Sequence, residues 1–185
     1  MNRKSLITFL LVTFGGAWIL FSLPLAFKNN QDIYPAVWQV CFMLAMWAPG
    51  VGAMIATRLV DKQPVINTLR LNTLGPKRFY LVAWFLPSLI VSATIGASIL
   101  LGTGMFDSNF TFIRESLSKA PFGTNLPPAE ILVFATTVFA LTLAPFVNLL
   151  FAVGEEIGWR GFLLPKLMPL GQWKAILLSG LIWGL

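Results

Sequence analysis

Long stretches without a charged residue dominate the chain. Uncharged runs cover residues 5–27, 33–57, 79–106 and 131–154. Each run exceeds the roughly 20 residues that a helix needs to cross the hydrocarbon core of a bilayer. A fifth apolar run, residues 175–185, is about half that length. The pattern predicts an all-α membrane protein, a multi-span helical bundle with four full transmembrane helices and the start of a fifth.

The composition agrees with a membrane location. Charged residues make up 11% of the chain and hydrophobic residues 57%, whereas soluble domains carry about 25% charged residues. So few charges cannot cover a water-facing surface, and we expect a single integral membrane domain over residues 1–185. The first run follows Arg3 and Lys4, but it is longer than the typical apolar region of a signal peptide. We interpret it as an uncleaved helix.

The distribution of basic residues predicts an orientation. The segment between the second and third runs holds one acid, Asp61, against several bases: Arg58, Lys62, Arg70, Lys77 and Arg78. Because positive loops stay on the cytoplasmic side, we expect a cytoplasmic amino terminus. These loops and anionic lipid headgroups account for the net charge of +6. The bilayer is therefore an expected partner, and nucleic acid is not.

Two adjacent carboxylates follow the fourth run, in the string VGEEIGWRGFLLP at residues 153–165. Glu156 and Arg160 are four residues apart, so they share a helix face and are expected to pair. Glu155 points about 100° away and is left free for another role. A partly desolvated carboxylate without a basic partner is suited to act as a general base on water. The alternative is an ordinary wet helix end, anchored at the interface by Trp159 and Phe162.

Scarce residue types exclude other chemistries. The chain has no histidine, so neither an HExxH zinc site nor a Ser-His-Asp triad can be completed from these residues. Its lone cysteine, Cys41, cannot form an internal disulfide and is expected to pack among apolar neighbours. Any activation of water must use carboxylates, or residues beyond Leu185.

The strings GEEIGWRGFLLPKL and AILLSGLIWGL resemble the CPBP family of CAAX proteases and bacteriocin-processing proteins. This family, also called Abi, includes prenyl-protein endopeptidases of the Rce1 type. Its first motif, EExxxR, is matched by Glu155, Glu156 and Arg160. The resemblance implies a family core from about residue 130 to residue 185.

The resemblance implies an intramembrane endopeptidase, expected in a bacterial plasma membrane, that cleaves a membrane-associated peptide or protein. Glu155 would activate the attacking water together with a histidine. Glu156 and Arg160 would orient Glu155 and hold the helix ends together. The family is often described as metalloproteases. A divalent metal such as zinc is therefore a candidate cofactor, with Glu155 as its ligand if any residue here binds it.

The family's second motif, FxxxH, is incomplete in this sequence. Trp183 stands at its aromatic position, which places the expected histidine two positions past Leu185. We therefore expect a family member truncated at its carboxy terminus and inactive as this fragment.

Two other functions stay open. The chain can be a non-catalytic membrane protein of the same fold, such as a bacteriocin-immunity or scaffold protein. It can also be a subunit of a proton-coupled transporter, because intramembrane carboxylates mark ion paths as well. A transporter is expected to repeat its carboxylate-bearing helix, and the sequence shows no such repeat.

Overall fold

A computed structural model describes residues 2–119 and 127–184, which form helices joined by turns and short irregular segments and contain no strand. The first helices are α1 (Arg3–Ser22), α2 (Tyr34–Ala45), α3 (Ala48–Ile55) and α4 (Val65–Thr68). The later ones are α5 (Arg78–Leu100), α6 (Thr111–Ser118), α7 (Ala129–Thr142), α8 (Ala144–Glu156), α9 (Leu164–Leu167) and α10 (Gln172–Trp183). Short 3₁₀ turns cover Leu23–Phe27 and Met168–Leu170, and π-helical turns cover Ala56–Val60 and Ile157–Leu163.

Within the described residues, three helical segments are long and apolar enough to cross a membrane. These segments are Arg3–Phe27, Tyr34–Val60 and Arg78–Leu100. A fourth is present if Ala129–Thr142 and Ala144–Leu170, which are bent against each other, count as one span. The predicted all-α membrane class is confirmed, whereas the exact number of four full spans stays a prediction.

Two of the predicted spans are interrupted, and a proline follows each break. The second run divides at Met46–Trp47 into α2 and α3, and Pro49 lies in the first turn of α3. The fourth run divides at Leu143, and Pro145 is the second residue of α8. Proline lacks an N–H group and fits the first turn of a helix, where that group has no intrahelical acceptor. The charge-free runs therefore predicted where the chain is helical, but they did not predict where a helix is interrupted.

Two compact units make up the chain. The first unit comprises Met1–Leu74 and Asn148–Leu185, and the second comprises Gly75–Val147. Whether residues 1–185 form a single membrane domain stays a prediction.

Phe9 lies at the centre of the core of the first unit. Its ring centroid lies 5.6 Å from that of Trp159, edge-on, and 4.9 Å from that of Phe162. The buried apolar cluster consists of Phe9, Ala53, Ala56, Leu69, Trp159, Phe162, Leu163, Leu167 and Ala175. The core therefore joins α1, α3 and the segment that follows the two adjacent glutamates.

Glycines allow very close helix crossings in the first unit. A Cβ atom on Gly158 would lie 2.3 Å from Pro49 Cβ, and one on Gly154 would lie 2.7 Å from Trp47 Cα. On the other side of α3, a Cβ on Gly52 would lie 2.6 Å from Thr13 Oγ1. No side chain fits at such distances, so the backbones pack directly, as small residues permit in membrane helices.

The second unit holds α5 to α7 and the first residues of α8. Trp84 Nε1–H donates a hydrogen bond of 2.9 Å to the Leu141 carbonyl, and its ring meets that of Phe146 edge-on at 5.0 Å. Arg114 forms an ion pair with Glu130. No residue of α5 is buried. The helices of this unit are thus joined by a few specific contacts, mostly at aromatic and charged side chains.

Candidate active site

Backbone packing on both sides of the paired glutamates fixes their position. Glu155 and Glu156 are the last residues of α8, and the helix continues as the π-helical turn Ile157–Leu163. Of the flanking glycines, Gly154 presses against Met46 and Trp47, just before α3, and Gly158 presses against Pro49 in its first turn. π-helical turns often occur at functional sites. The segment is therefore held tightly while its carboxylates stay available.

Glu156 and Arg160 form an ion pair, as their spacing predicted. The side chains are 51% and 59% exposed, respectively. The guanidinium carbon of Arg160 also lies 6.0 Å from the centroid of the Trp183 ring. More than half of each side chain is therefore left uncovered by the described residues and faces the surroundings of the protein.

Glu155 has different surroundings from its neighbour. It is half-buried and lines a cavity of about 330 Å³. The other lining residues are Thr13, Phe14, Ala17, Trp18, Phe21, Phe42, Ala45, Met46, Pro49, Trp159 and Trp183. Within the described residues, no hydrogen bond or ion pair engages its carboxylate. It is the one carboxylate in a wall that is otherwise largely apolar and aromatic.

Arg160 lines a second, smaller cavity of about 160 Å³. Trp159 and Trp183 border both cavities, whereas Glu155 lines only the larger and Arg160 only the smaller. Glu155 and Arg160 therefore face different cavities although they belong to one helical segment.

The described residues do not by themselves fit a metal. They contain no group of three histidine, cysteine, aspartate or glutamate side chains that could hold an ion. Structural and catalytic zinc sites usually take at least three protein ligands. The metal cofactor therefore stays a prediction.

Asp61 is a polar centre that sequence reasoning missed. It accepts hydrogen bonds from Asn2 Nδ2 at 2.9 Å, Ser5 Oγ at 2.8 Å and Lys166 Nζ at 2.5 Å. Burial alone would raise the pKa of Asp61, but these bonds and the charge of Lys166 outweigh burial and lower it. Its position as the lone acid in a basic segment was the signal that could have revealed a paired role.

The fold and the site define a class: a helical membrane protein in which one carboxylate faces a largely apolar cavity. Residues 134–185 match the Rce1-like family model, which is described as type II CAAX prenyl endopeptidase Rce1-like. This stretch contains the EExxxR string, and the match confirms the resemblance to the CPBP family. Comparison with curated proteins found no match. Comparison with solved structures also found none.

Proposed function

We propose that this protein is a membrane endopeptidase of the CPBP type in which Glu155 is the general base. The division of the two carboxylates carries the proposal. Glu156 is held by Arg160 in an exposed ion pair, whereas Glu155 faces the cavity of about 330 Å³ without such a partner. The match of residues 134–185 to a CAAX endopeptidase family supports peptide hydrolysis as the reaction.

The proposed chemistry is hydrolysis of one peptide bond. The Glu155 carboxylate takes a proton from a water molecule as the water oxygen attacks the carbonyl carbon. The tetrahedral intermediate then collapses, the C–N bond breaks, and the proton passes to the leaving amine. A base must lie within about 2.6–3.2 Å of the water that it deprotonates. The polar edge that Glu155 gives to the cavity can hold a water at that distance.

Glu156 and Arg160 act as positioning residues in this proposal. Their ion pair joins the last turn of α8 to the π-helical turn that follows it. It therefore stabilises the helical geometry at this junction, and with it the direction in which Glu155 projects. The substrate is a peptide or protein at the membrane, because the site lies in a segment that is itself a candidate for spanning the bilayer.

The test is cleavage of a membrane-tethered reporter peptide by protein expressed in membranes from its complete reading frame. Glu155→Gln keeps the size of the side chain but cannot take a proton. Since general-base catalysis contributes about 10²–10⁴-fold, we expect this variant to cleave at least a hundredfold more slowly at an unchanged amount of folded protein. Glu115→Gln is the matched control, because this exposed glutamate lies in α6 of the second unit. It is expected to leave cleavage unchanged.

Each alternative function has its own result in the same membranes. Full activity of Glu155→Gln would remove Glu155 from the mechanism. A non-catalytic scaffold would show no cleavage by the unaltered protein. A transporter subunit would instead show proton uptake into sealed vesicles that depends on Glu155, again without cleavage.

A further inference from the structure

Three segments of the first unit meet around Asp61. Its carboxylate accepts hydrogen bonds from Asn2 and Ser5 at the start of α1 and from Lys166 in α9. The Asp61 and Lys166 side chains are only 10% and 25% exposed. These bonds hold the amino-terminal turn of α1, the end of the π-helical turn Ala56–Val60 and α9 side by side.

Positive charge exceeds negative charge at this meeting point. Arg3 and Lys4 lie between Asn2 and Ser5 in the sequence, and Lys62 follows Asp61 directly. All three side chains are exposed, and none of them forms an ion pair within the described residues. Because Lys166 already balances the charge of Asp61, the three remaining cations have no counter-charge from the described chain.

The cluster lies at the boundary of two candidate spans. Arg3 begins the segment Arg3–Phe27, and Lys62 follows the end of Tyr34–Val60 by two residues. Apolar side chains continue directly from the cations along both spans: Ile7 is 55% exposed and Leu59 is 68% exposed. A ligand that suits this surface carries negative charge at one end and hydrocarbon at the other.

The backbone at Lys62 is strained. Its φ angle is +55°, in the left-handed region that glycine usually occupies after a helix. A lysine here costs conformational energy, and strained residues of this kind cluster at functional sites. Glycine would remove the strain, but it would also remove the cation.

We propose that Arg3, Lys4 and Lys62 bind the phosphate of an anionic phospholipid headgroup, with its acyl chains against Ile7 and Leu59. The hydrogen bonds of Asp61 are the scaffold that holds the start of α1, which carries Arg3 and Lys4, beside the segment that carries Lys62. This site is distinct from the Glu155 cavity, and the proposal holds whether or not the protein is a protease. It gives the lipid a role in joining the first two candidate spans.

The test measures binding of phosphatidylglycerol to the purified protein in detergent micelles, with phosphatidylcholine as the neutral lipid. We expect phosphatidylglycerol to raise the thermal unfolding midpoint above its value in phosphatidylcholine. Each basic residue near a lipid surface contributes about a fivefold gain in affinity. Changing Arg3, Lys4 and Lys62 together to glutamine should therefore weaken binding about a hundredfold.

Two further variants sharpen the test. Lys62→Gly should raise the midpoint in phosphatidylcholine, because it relieves the strain, and should weaken phosphatidylglycerol binding about fivefold. Lys28→Gln, at the opposite end of the first candidate span, should leave binding unchanged. Equal stabilisation by the two lipids, or a triple variant that binds as well as the unaltered protein, would overturn the proposal. So would equal stabilisation by inorganic phosphate alone, since the surface would then bind phosphate without the lipid.

Discussion

Two candidate spans of similar length differ sharply in how the rest of the protein covers them. Tyr34–Val60, in the first unit, has 27 residues, and half of its most apolar stretch is buried. Arg78–Leu100, in the second unit, has 23 residues, and none of its most apolar stretch is buried. Both are apolar enough to cross a bilayer. Hydropathy therefore identifies a helix that can enter the membrane but does not show whether protein or lipid will surround it.

The difference in burial arises because a second helix closely approaches the small residues of α3 but not those of α5. Gly50 and Gly52 in α3 meet backbone or side-chain atoms so closely that a Cβ at either would lie under 3 Å from them. α5 has its own glycine, Gly96, but a Cβ there would meet nothing within 4 Å. A glycine in an apolar helix thus indicates a crossing only where a second helix approaches it.

The largest expected effect is at the crossing beside the glutamates. A Cβ on Gly158 would lie 2.3 Å from Pro49 Cβ and 2.6 Å from the Pro49 carbonyl carbon. Because proline and backbone atoms cannot move aside cheaply, Gly158→Ala should lower the free energy of unfolding by about 3 kcal/mol or more. Reversible unfolding in mixed micelles measures the change.

Gly96→Ala is the matched variant in the second unit. With no atom in the way, it should stabilise α5 by up to about 1 kcal/mol, because alanine has the higher helix propensity. If Gly158→Ala and Gly96→Ala lower the free energy of unfolding equally, the proposed difference in packing between the two spans is wrong.

The next largest effect is expected at one of the two ion pairs of the first unit, Asp61–Lys166 and Glu156–Arg160. Lys166→Met keeps an apolar stem but removes the ammonium group, which pairs with Asp61 and lies 5.2 Å from the centroid of the Phe162 ring. The Asp61–Lys166 pair is mostly buried, so the loss should lie between that of an exposed and a fully buried pair, at about 2 kcal/mol. Asp61→Asn in the same chain should recover much of this loss, since no unpaired charge is left.

Arg160→Ala is the corresponding change in the exposed pair. If the pair faces water, breaking it should cost only about 0.5 kcal/mol. A loss as large as that of Lys166→Met would place Glu156 and Arg160 in the hydrocarbon, where an unpaired charge is far more costly.

Lowering the pH should produce the smallest change in the free energy of unfolding. The pKa of Asp61 is lowered from its ordinary value of 3.8. A carboxyl with a lowered folded pKa gives stability that is present above the ordinary value and is lost as the pH falls through the folded value. Stability should therefore decline below about pH 3.8. Unfolding followed from about pH 5 to pH 2 measures this decline, and Asp61→Asn should reduce it. An unchanged acid profile in that variant would contradict the assigned role of Asp61.

The sequence predicted the helices because a missing charge is a local property. Arg3–Phe27 and Arg78–Leu100 begin within two residues of the uncharged runs that predicted them. The Glu156–Arg160 pair was equally local, since four residues make one helical turn. The breaks at Trp47 and Leu143 were not predicted, although Pro49 and Pro145 were visible.

Contacts between distant segments could not be predicted from the sequence. The bond between Asp61 and Lys166 joins residues 105 positions apart. The cavity at Glu155 depends on Thr13, Phe42 and Trp159, which come from separate helices. No period or motif records which helices meet, so the residues around the carboxylate could be found only from the packed structure.

The two glycines that bracket the glutamates have an evolutionary consequence. Gly154 and Gly158 belong to the same helical stretch as Glu155 and Glu156, and both touch the start of α3 directly. A substitution that disturbs the crossing also moves the carboxylates, and a change at the carboxylates falls within the crossing. Selection for a folded protein and selection for its chemistry therefore act on the same few positions. Few substitutions are therefore neutral in this stretch, whereas the exposed aliphatic positions of α5 can vary more widely among apolar residues.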